Sequence, residues 1–172
     1  VMLEENTKLV REVYEANFLQ KEAQIKALFN QIRPHFIYNT LNMISLLIQS
    51  GKEEQAVDQI NKLSSLLRSM TNWDKEITIG QEILLLEAYL GIQSTRFDGR
   101  LAYTIHIASS LIHAYIPALL LQPAVENAVI HGCEMKKEKT TIDIYSDEDD
   151  SNLYFYVRDN GKGMHADQLA KL

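Results

Sequence analysis

Between about residue 4 and residue 49 the chain carries no glycine and a single proline, Pro34. Apolar residues at Ile25, Leu28, Ile32, Phe36, Met43 and Leu47, with Thr40 filling the one gap, recur at the three- and four-residue spacing of one helical face. Tyr14 and Phe18 carry the stripe upstream until Lys21 interrupts it, which predicts a coiled-coil-like lead-in helix over residues 1–23. The stretch QSGKEE at 49–54 is a turn centred on Gly51. A second helix follows, with Ala56, Ile60, Leu63, Leu67 and Met70 on one face. Two amphipathic helices on a short loop predict an antiparallel hairpin. Such a hairpin cannot bury both stripes by itself, so pairing with a second copy into a dimeric four-helix bundle is the natural solution.

The pattern changes after TNWDKE. Thr78 and Gln81 form a capping box for a third helix, QEILLLEAYLGIQSTRF, whose apolar residues on most sides predict burial in a second domain. Asp98-Gly99 turns the chain into RLAYTIHI, where Leu101, Tyr103, Ile105 and Ile107 alternate as in a strand. In IPALLLQPAVENAVIHG, Pro117 and Pro123 each suit a first helical turn and Gly132 suits the helix stop. TTIDIYS and NLYFYV alternate around the acidic turn DEDDS and predict a hairpin, DNGKGM ends its second strand, and a further helix begins before the last residue. The expected fold class is α+β, with one domain over 1–76 and a second over 77–172.

Other features narrow the function. A formal charge of -6 argues against nucleic-acid binding through a general basic field, while leaving room for a phosphate held locally. Cys133 is the single cysteine, so no internal disulfide forms and a reducing compartment is the expectation. No run reaches the ~18 to 20 apolar residues that span a bilayer, and VMLEENTKLV does not read as a signal peptide. The chain starts in mid-pattern, as a piece of something longer would.

Three constellations carry chemistry. In QIRPHFIYNTLNMI, Gln31, His35, Asn39 and Asn42 form a polar ridge beside the apolar stripe, which exposes His35. A surface histidine is ordinarily no more than that. Pro34, however, removes a helical donor and costs ~3 kcal/mol, and a defect just before a histidine is better explained by function than by stability. The second constellation is Glu126, Asn127 and His131. Asn127 and His131 are one turn apart, an amide oxygen is a hard ligand suited to Mg²⁺, and the ordinary alternative is a polar helix face. The third is RDNGKGM, where Gly161 and Gly163 let backbone pass close to a flat ligand and the Asp159 carboxylate can accept from an amino group. By itself it is a glycine turn. His106 and His113 lack metal-ligand spacing.

Taken together and in this order, these stretches resemble the LytS/YesM-type sensor histidine kinases of bacterial two-component systems. QIRPHFIYNTLNMI resembles the phosphoacceptor box, IQSTRFDGRL the joint between domains, IPALLLQPAVENAVIHG the asparagine box, and DNGKGM the first glycine box of the gyrase/chaperone/kinase ATP-binding fold. The resemblance covers roughly residues 24–164. It implies a dimeric phosphoacceptor hairpin over 1–76, and over 77–172 a partial α/β sandwich that binds ATP.

The resemblance further implies that His35 takes a phosphoryl group from ATP with Mg²⁺ and passes it to an aspartate on a response-regulator receiver domain. Asn127 becomes the expected Mg²⁺ ligand, with Glu126 supporting the metal's water shell and His131 near the phosphates. Asp159 reads adenine, and Gly161 and Gly163 shape the pocket. Better-known histidine kinases place an acid directly after the histidine. Here Phe36 follows, so the proton acceptor is unassigned, and Asn39 can contact the imidazole or position a water for dephosphorylation. The family continues past this glycine box into a lid, a second glycine box and further strands. An input domain and membrane spans are expected before Val1, with this region itself on the cytoplasmic side of the bacterial membrane. Two alternatives stay open: a dimeric signalling module without competent nucleotide binding, and an ATPase with the same nucleotide fold.

Overall fold

The computed structural model describes residues 34–71, 76–134 and 138–163. The expected lead-in helix at 1–23, Gln31, the bend before Pro34 and the final helix lie outside the described residues. The chain divides into two compact units, 1–42 and 43–172, with the boundary inside helix α1 (Pro34–Gln49). In the first unit Phe36 and Thr40 are buried, and the Thr40 hydroxyl donates to the Phe36 carbonyl at 2.8 Å. A hydroxyl that bonds back one turn needs no outside partner, which lets a polar residue sit in the buried row.

In the second unit α1 ends with Gly51 N–H donating to Ile48 O at 3.0 Å and Lys52 N–H to Leu47 O at 2.9 Å. This pair satisfies carbonyls that the helix leaves open. Helix α2 (Glu53–Thr71) packs along α3 (Ile79–Arg96). Within the single chain its buried row is Ala56, Gln59, Leu63 and Leu66. Ile60, on the stripe that a second copy is expected to cover, is 43% exposed.

Strand β1 (Glu76–Thr78) leads into α3. The Thr78 hydroxyl accepts from Gln81 N–H and the Gln81 side chain accepts from Thr78 N–H, completing the capping box. Ile79, Leu86, Leu90 and Ile92 are fully buried in α3, each contributing roughly 1.5–3 kcal/mol by removal from water. β2 (Leu101–His106) follows, then β3 (Tyr115–Pro117), α4 (Gln122–Val129), a π-helical turn at Ile130–Glu134, β4 (Thr140–Glu148) and β5 (Leu153–Asp159).

Among the described residues the main sheet runs β2-β4-β5. β2 is parallel to β4, and β4 is antiparallel to β5. Ile142 and Ile144 on β4 are fully buried, while Tyr145 and Tyr156 stack on the outer face with ring centres 4.8 Å apart. α3 packs on β2, and α4 packs on β4 and β5. The Asp149 carboxylate shapes the acidic hairpin turn by accepting from the Ser151 and Asn152 N–H groups at 2.9 and 2.8 Å.

Two expectations are corrected. Pro117 starts no helix: it ends β3, opposite Glu76 in a separate two-stranded ribbon, where a residue without N–H is tolerated at an edge. Gly132 does not stop the helix but lies inside the π-helical turn, and a methyl group there would collide with the Thr140 side chain. Close approach of α4 to β4 requires the glycine.

Residues 118–121 form a loop held by Glu82 of α3. Glu82 is 0% exposed, and its two carboxylate oxygens accept from Leu119 N–H and Leu121 N–H, each at 3.0 Å. Leu119 has φ 60°, an unusual conformation for a leucine. No side chain of the loop itself caps α4, so Glu82 supplies an anion at that helix N-terminus from another element.

Burial pushes the Glu82 carboxyl above its ordinary value, partly offset by the backbone N–H groups of Leu121, Leu119 and Gln122. The folded chain therefore binds this proton more tightly than the unfolded chain, and the group's contribution to stability falls as pH rises from the ordinary glutamate value through the raised one. Glu82→Gln leaves one loop N–H without its acceptor, a loss of about 1–3 kcal/mol. The stability advantage of the unsubstituted chain over Glu82→Gln should shrink as pH rises through that window. Urea unfolding of both chains from about pH 4 to about pH 8 measures it, and a difference that is constant or grows with pH contradicts the assignment.

Candidate functional site

In the first unit His35 is exposed, one residue into the described part of α1. Asn39, one turn on, sets its amide nitrogen 3.1 Å from Nδ1 and 3.2 Å from Nε2. Near-equal distances to both nitrogens place the amide over the imidazole face rather than in line with either in-plane lone pair. Asn42 is exposed on the same helix, and the residue after His35, Phe36, is buried.

In the second unit the expected residues lie on two elements. Glu126 and Asn127 are on α4, with Glu126 partly buried and Asn127 exposed. His131 is exposed in the π-helical turn that extends α4. The wider turn means that His131 does not stand in the plain one-turn relation to Asn127 expected of an α-helix.

Asp159 closes β5, and its Oδ1 accepts from Gly161 N–H at 2.7 Å; Oδ2 accepts no hydrogen bond from a described residue. Asn160 ties this turn to β4: its Oδ1 accepts from Thr141 N–H at 2.9 Å, and its own N–H donates to Thr141 O at 3.3 Å. A methyl group on Gly161 would lie 2.5 Å from Asp159 Oδ1, 3.3 Å from the His131 carbonyl oxygen and 3.4 Å from Gly132 Cα. The glycine turn therefore packs directly on the end of α4. Asp159, Gly161 and the His131 backbone meet at one place, at the turn that extends the helix carrying Glu126 and Asn127. Gly163 is at φ 69°, and among the described residues nothing would meet a Cβ added there.

Two residues outside the expected set support this corner. Glu82 fixes the start of α4 through the Leu119 and Leu121 amides, and Gln122 Nε2 donates to Glu126 Oε1 at 3.0 Å. Glu82 was visible in principle, since it shares a helical face with the buried Leu85, Leu86 and Tyr89. A charge on a buried row demands a partner. Nothing in the sequence marks Gln122.

Among the described residues no three His, Cys, Asp or Glu side chains gather into a metal cage. The donors at this corner, the exposed Asn127 amide and the Glu126 carboxylate on α4 beside a glycine turn, fit a hard cation that keeps most of its ligands from water and phosphate. They fit a nucleotide in the same way: Asp159 offers an acceptor, and the backbone at Gly161 passes close.

Residues 23–101 match the sequence model of the histidine kinase family. Over 153 residues, 88% of this chain and 26% of the relative, the chain is 37% identical to the sensor protein LytS of Staphylococcus haemolyticus. It is 36% identical to the sensor histidine kinase YesM of Bacillus subtilis over 165 residues, 95% of this chain and 29% of the relative. A sensor histidine kinase/phosphatase LytS of Staphylococcus aureus is 32% identical over 154 residues, 88% and 26% of the two chains. The chain thus spans 26–29% of the length of these relatives. Among solved structures, the histidine kinase domain of an Erythrobacter litoralis blue-light activated histidine kinase covers 87% of this chain and 75% of its own, at 20% identity and a TM-score of 0.37, too distant to bear on the fold. Motifs, their order and these matches agree: the chain is a relative of the LytS/YesM-type sensor histidine kinases.

Proposed function

We propose that this chain is the kinase region of a sensor histidine kinase, in which His35 receives the γ-phosphoryl group of ATP and yields it to an aspartate of a response-regulator receiver domain. The packing of Gly161 on the His131 carbonyl and Gly132 carries the reading, because it joins the glycine turn to the asparagine-bearing helix at one corner. Residues 1–76 form the phosphoacceptor domain and 77–172 a partial α/β sandwich of the gyrase/chaperone/kinase type.

Bound ATP with Mg²⁺ supplies an electrophilic phosphoryl group and a leaving group whose charge the metal offsets. The Asn127 amide oxygen would ligate the metal, Glu126 would accept hydrogen bonds from its waters, and His131 would serve the phosphates. The Asp159 carboxylate would accept from the adenine amino group, and Gly161 and Gly163 would keep the pocket wall low. His35 provides the nucleophilic ring nitrogen. Asn39 stands over the imidazole one turn on, within reach of either ring nitrogen. Once the nitrogen is modified the amide is available to hold a water, a role that suits a relative named kinase/phosphatase.

Homodimerisation is supported by apolar side chains that α1 and α2 leave outside: Leu46 is 62% exposed, Ile48 53%, Val57 56% and Ile60 43%. No described helix is long and apolar enough to cross a membrane. The reading places this region on the cytoplasmic side, with any membrane attachment through segments upstream. The charge of -6 disfavours nucleic acid as a partner.

Incubating the chain with Mg²⁺ and γ-labelled ATP should give acid-labile label that His35→Ala abolishes. Asn39→Ala should change the lifetime of the phosphohistidine by about fivefold, the worth of one hydrogen bond. Label in neither chain favours a signalling module without competent nucleotide binding, and ATP hydrolysis without phosphoprotein favours an ATPase. Sedimentation should report a dimer that the pair Leu46→Asp and Ile60→Asp shifts toward monomer, and an unchanged mass would remove these faces from the interface.

A further inference from the structure

Glu126 is held by a neighbour whose own arrangement is costly. Gln122 is the first residue of α4 and is only 9% exposed. Its Nε2 donates to Glu126 Oε1 at 3.0 Å, while its Oε1 is buried and makes no hydrogen bond among the described residues. An unpaired buried amide oxygen is destabilising. Turning the amide over would set that oxygen against the Glu126 carboxylate and bury the donors unpaired, so the observed orientation is the one that serves Glu126.

Gln122 is in turn fixed from behind. Its backbone N–H faces the Glu82 carboxylate, which also accepts from Leu119 N–H and Leu121 N–H. Three residues of the loop and helix start are thereby pinned to α3. A side chain at the first helical position would otherwise fray with the terminus. Here it is an anchored donor one turn before Glu126.

We propose that Gln122, anchored through Glu82, is a positioning residue that orients the Glu126 carboxylate toward the water shell of a divalent cation at the nucleotide corner. The proposal rests on the reading of that corner as a nucleotide site. Gln122 touches neither metal nor nucleotide and acts only through Glu126. Removing a residue that directly orients a metal ligand typically weakens the metal about 10- to 100-fold, and Gln122, one contact further out, falls at the low end of that range.

The test measures binding of a non-hydrolysable ATP analogue to the whole chain by calorimetry, once with Mg²⁺ and once with EDTA. The ratio of the two affinities is the Mg²⁺-dependent gain. Gln122→Met keeps the side-chain volume and removes the donor. It should cut the gain by about tenfold, leave the EDTA affinity within about twofold, and cost nothing further when Glu126 is already Gln, because the two act as one unit. Gln122→Glu, of the same shape but repelling Glu126, should lose at least as much, and it carries the test if Gln122→Met does not fold. An unchanged gain in these variants, or a loss equally large on the Glu126→Gln background, overturns the positioning role and leaves the nucleotide site standing. No binding of the analogue to the unsubstituted chain removes the nucleotide site and this proposal with it.

Discussion

The Glu82 carboxylate determines where α4 begins. Buried in α3, it takes the N–H groups of Leu119 and Leu121 on its two oxygens and so holds a loop that has no cap of its own. A buried charge is tolerable only when its lone pairs are met, and backbone donors at a helix start meet them while the helix dipole favours the negative charge. The arrangement fixes the leucine at φ 60° and the first turn of the helix together. Every residue of the candidate nucleotide corner that lies on α4 inherits its position from this contact.

The far end of the same helix is set by close approach. α4 widens into a π-helical turn, and Gly132 within it meets Thr140 of β4 with no room for a side chain. Gly161 then lies over the same turn, with its N–H on Asp159 and the Asn160 side chain tied to β4. Two glycines remove the Cβ atoms that would hold helix and strand ends apart. The result is a corner where an amide, carboxylates and exposed backbone lie together, chemistry suited to phosphate and a hard cation.

The first unit works differently. Its His35 and Asn39 need only one helical turn to meet, since i and i+4 side chains are neighbours on any α-helix. A pair of this kind is readable without a fold. The row of α2 buried within the single chain is not, because Ile60 and Leu63 are both apolar and periodicity accepts either. The partner surface of α3 decides, choosing Ala56, Gln59, Leu63 and Leu66 and leaving Ile60 outside.

What the sequence determined by itself is what local physics controls: the helix and strand periods, the Thr78–Gln81 capping box, the β4–β5 hairpin about its acidic turn, and the residue types His35, Asn127, Asp159 and Gly161. Tertiary structure alone decided that Pro117 ends a strand opposite Glu76, that Gly132 sits inside a wider turn, and that Glu82 and Gln122 underpin the corner. The physical reason is range. A cap or a turn involves residues three or four apart, whereas Glu82 meets its partners 37 and 39 residues away, and Pro117 pairs with a residue on another strand. Hydrogen bonds over such distances depend on how layers pack, and hydropathy along the chain carries no record of them.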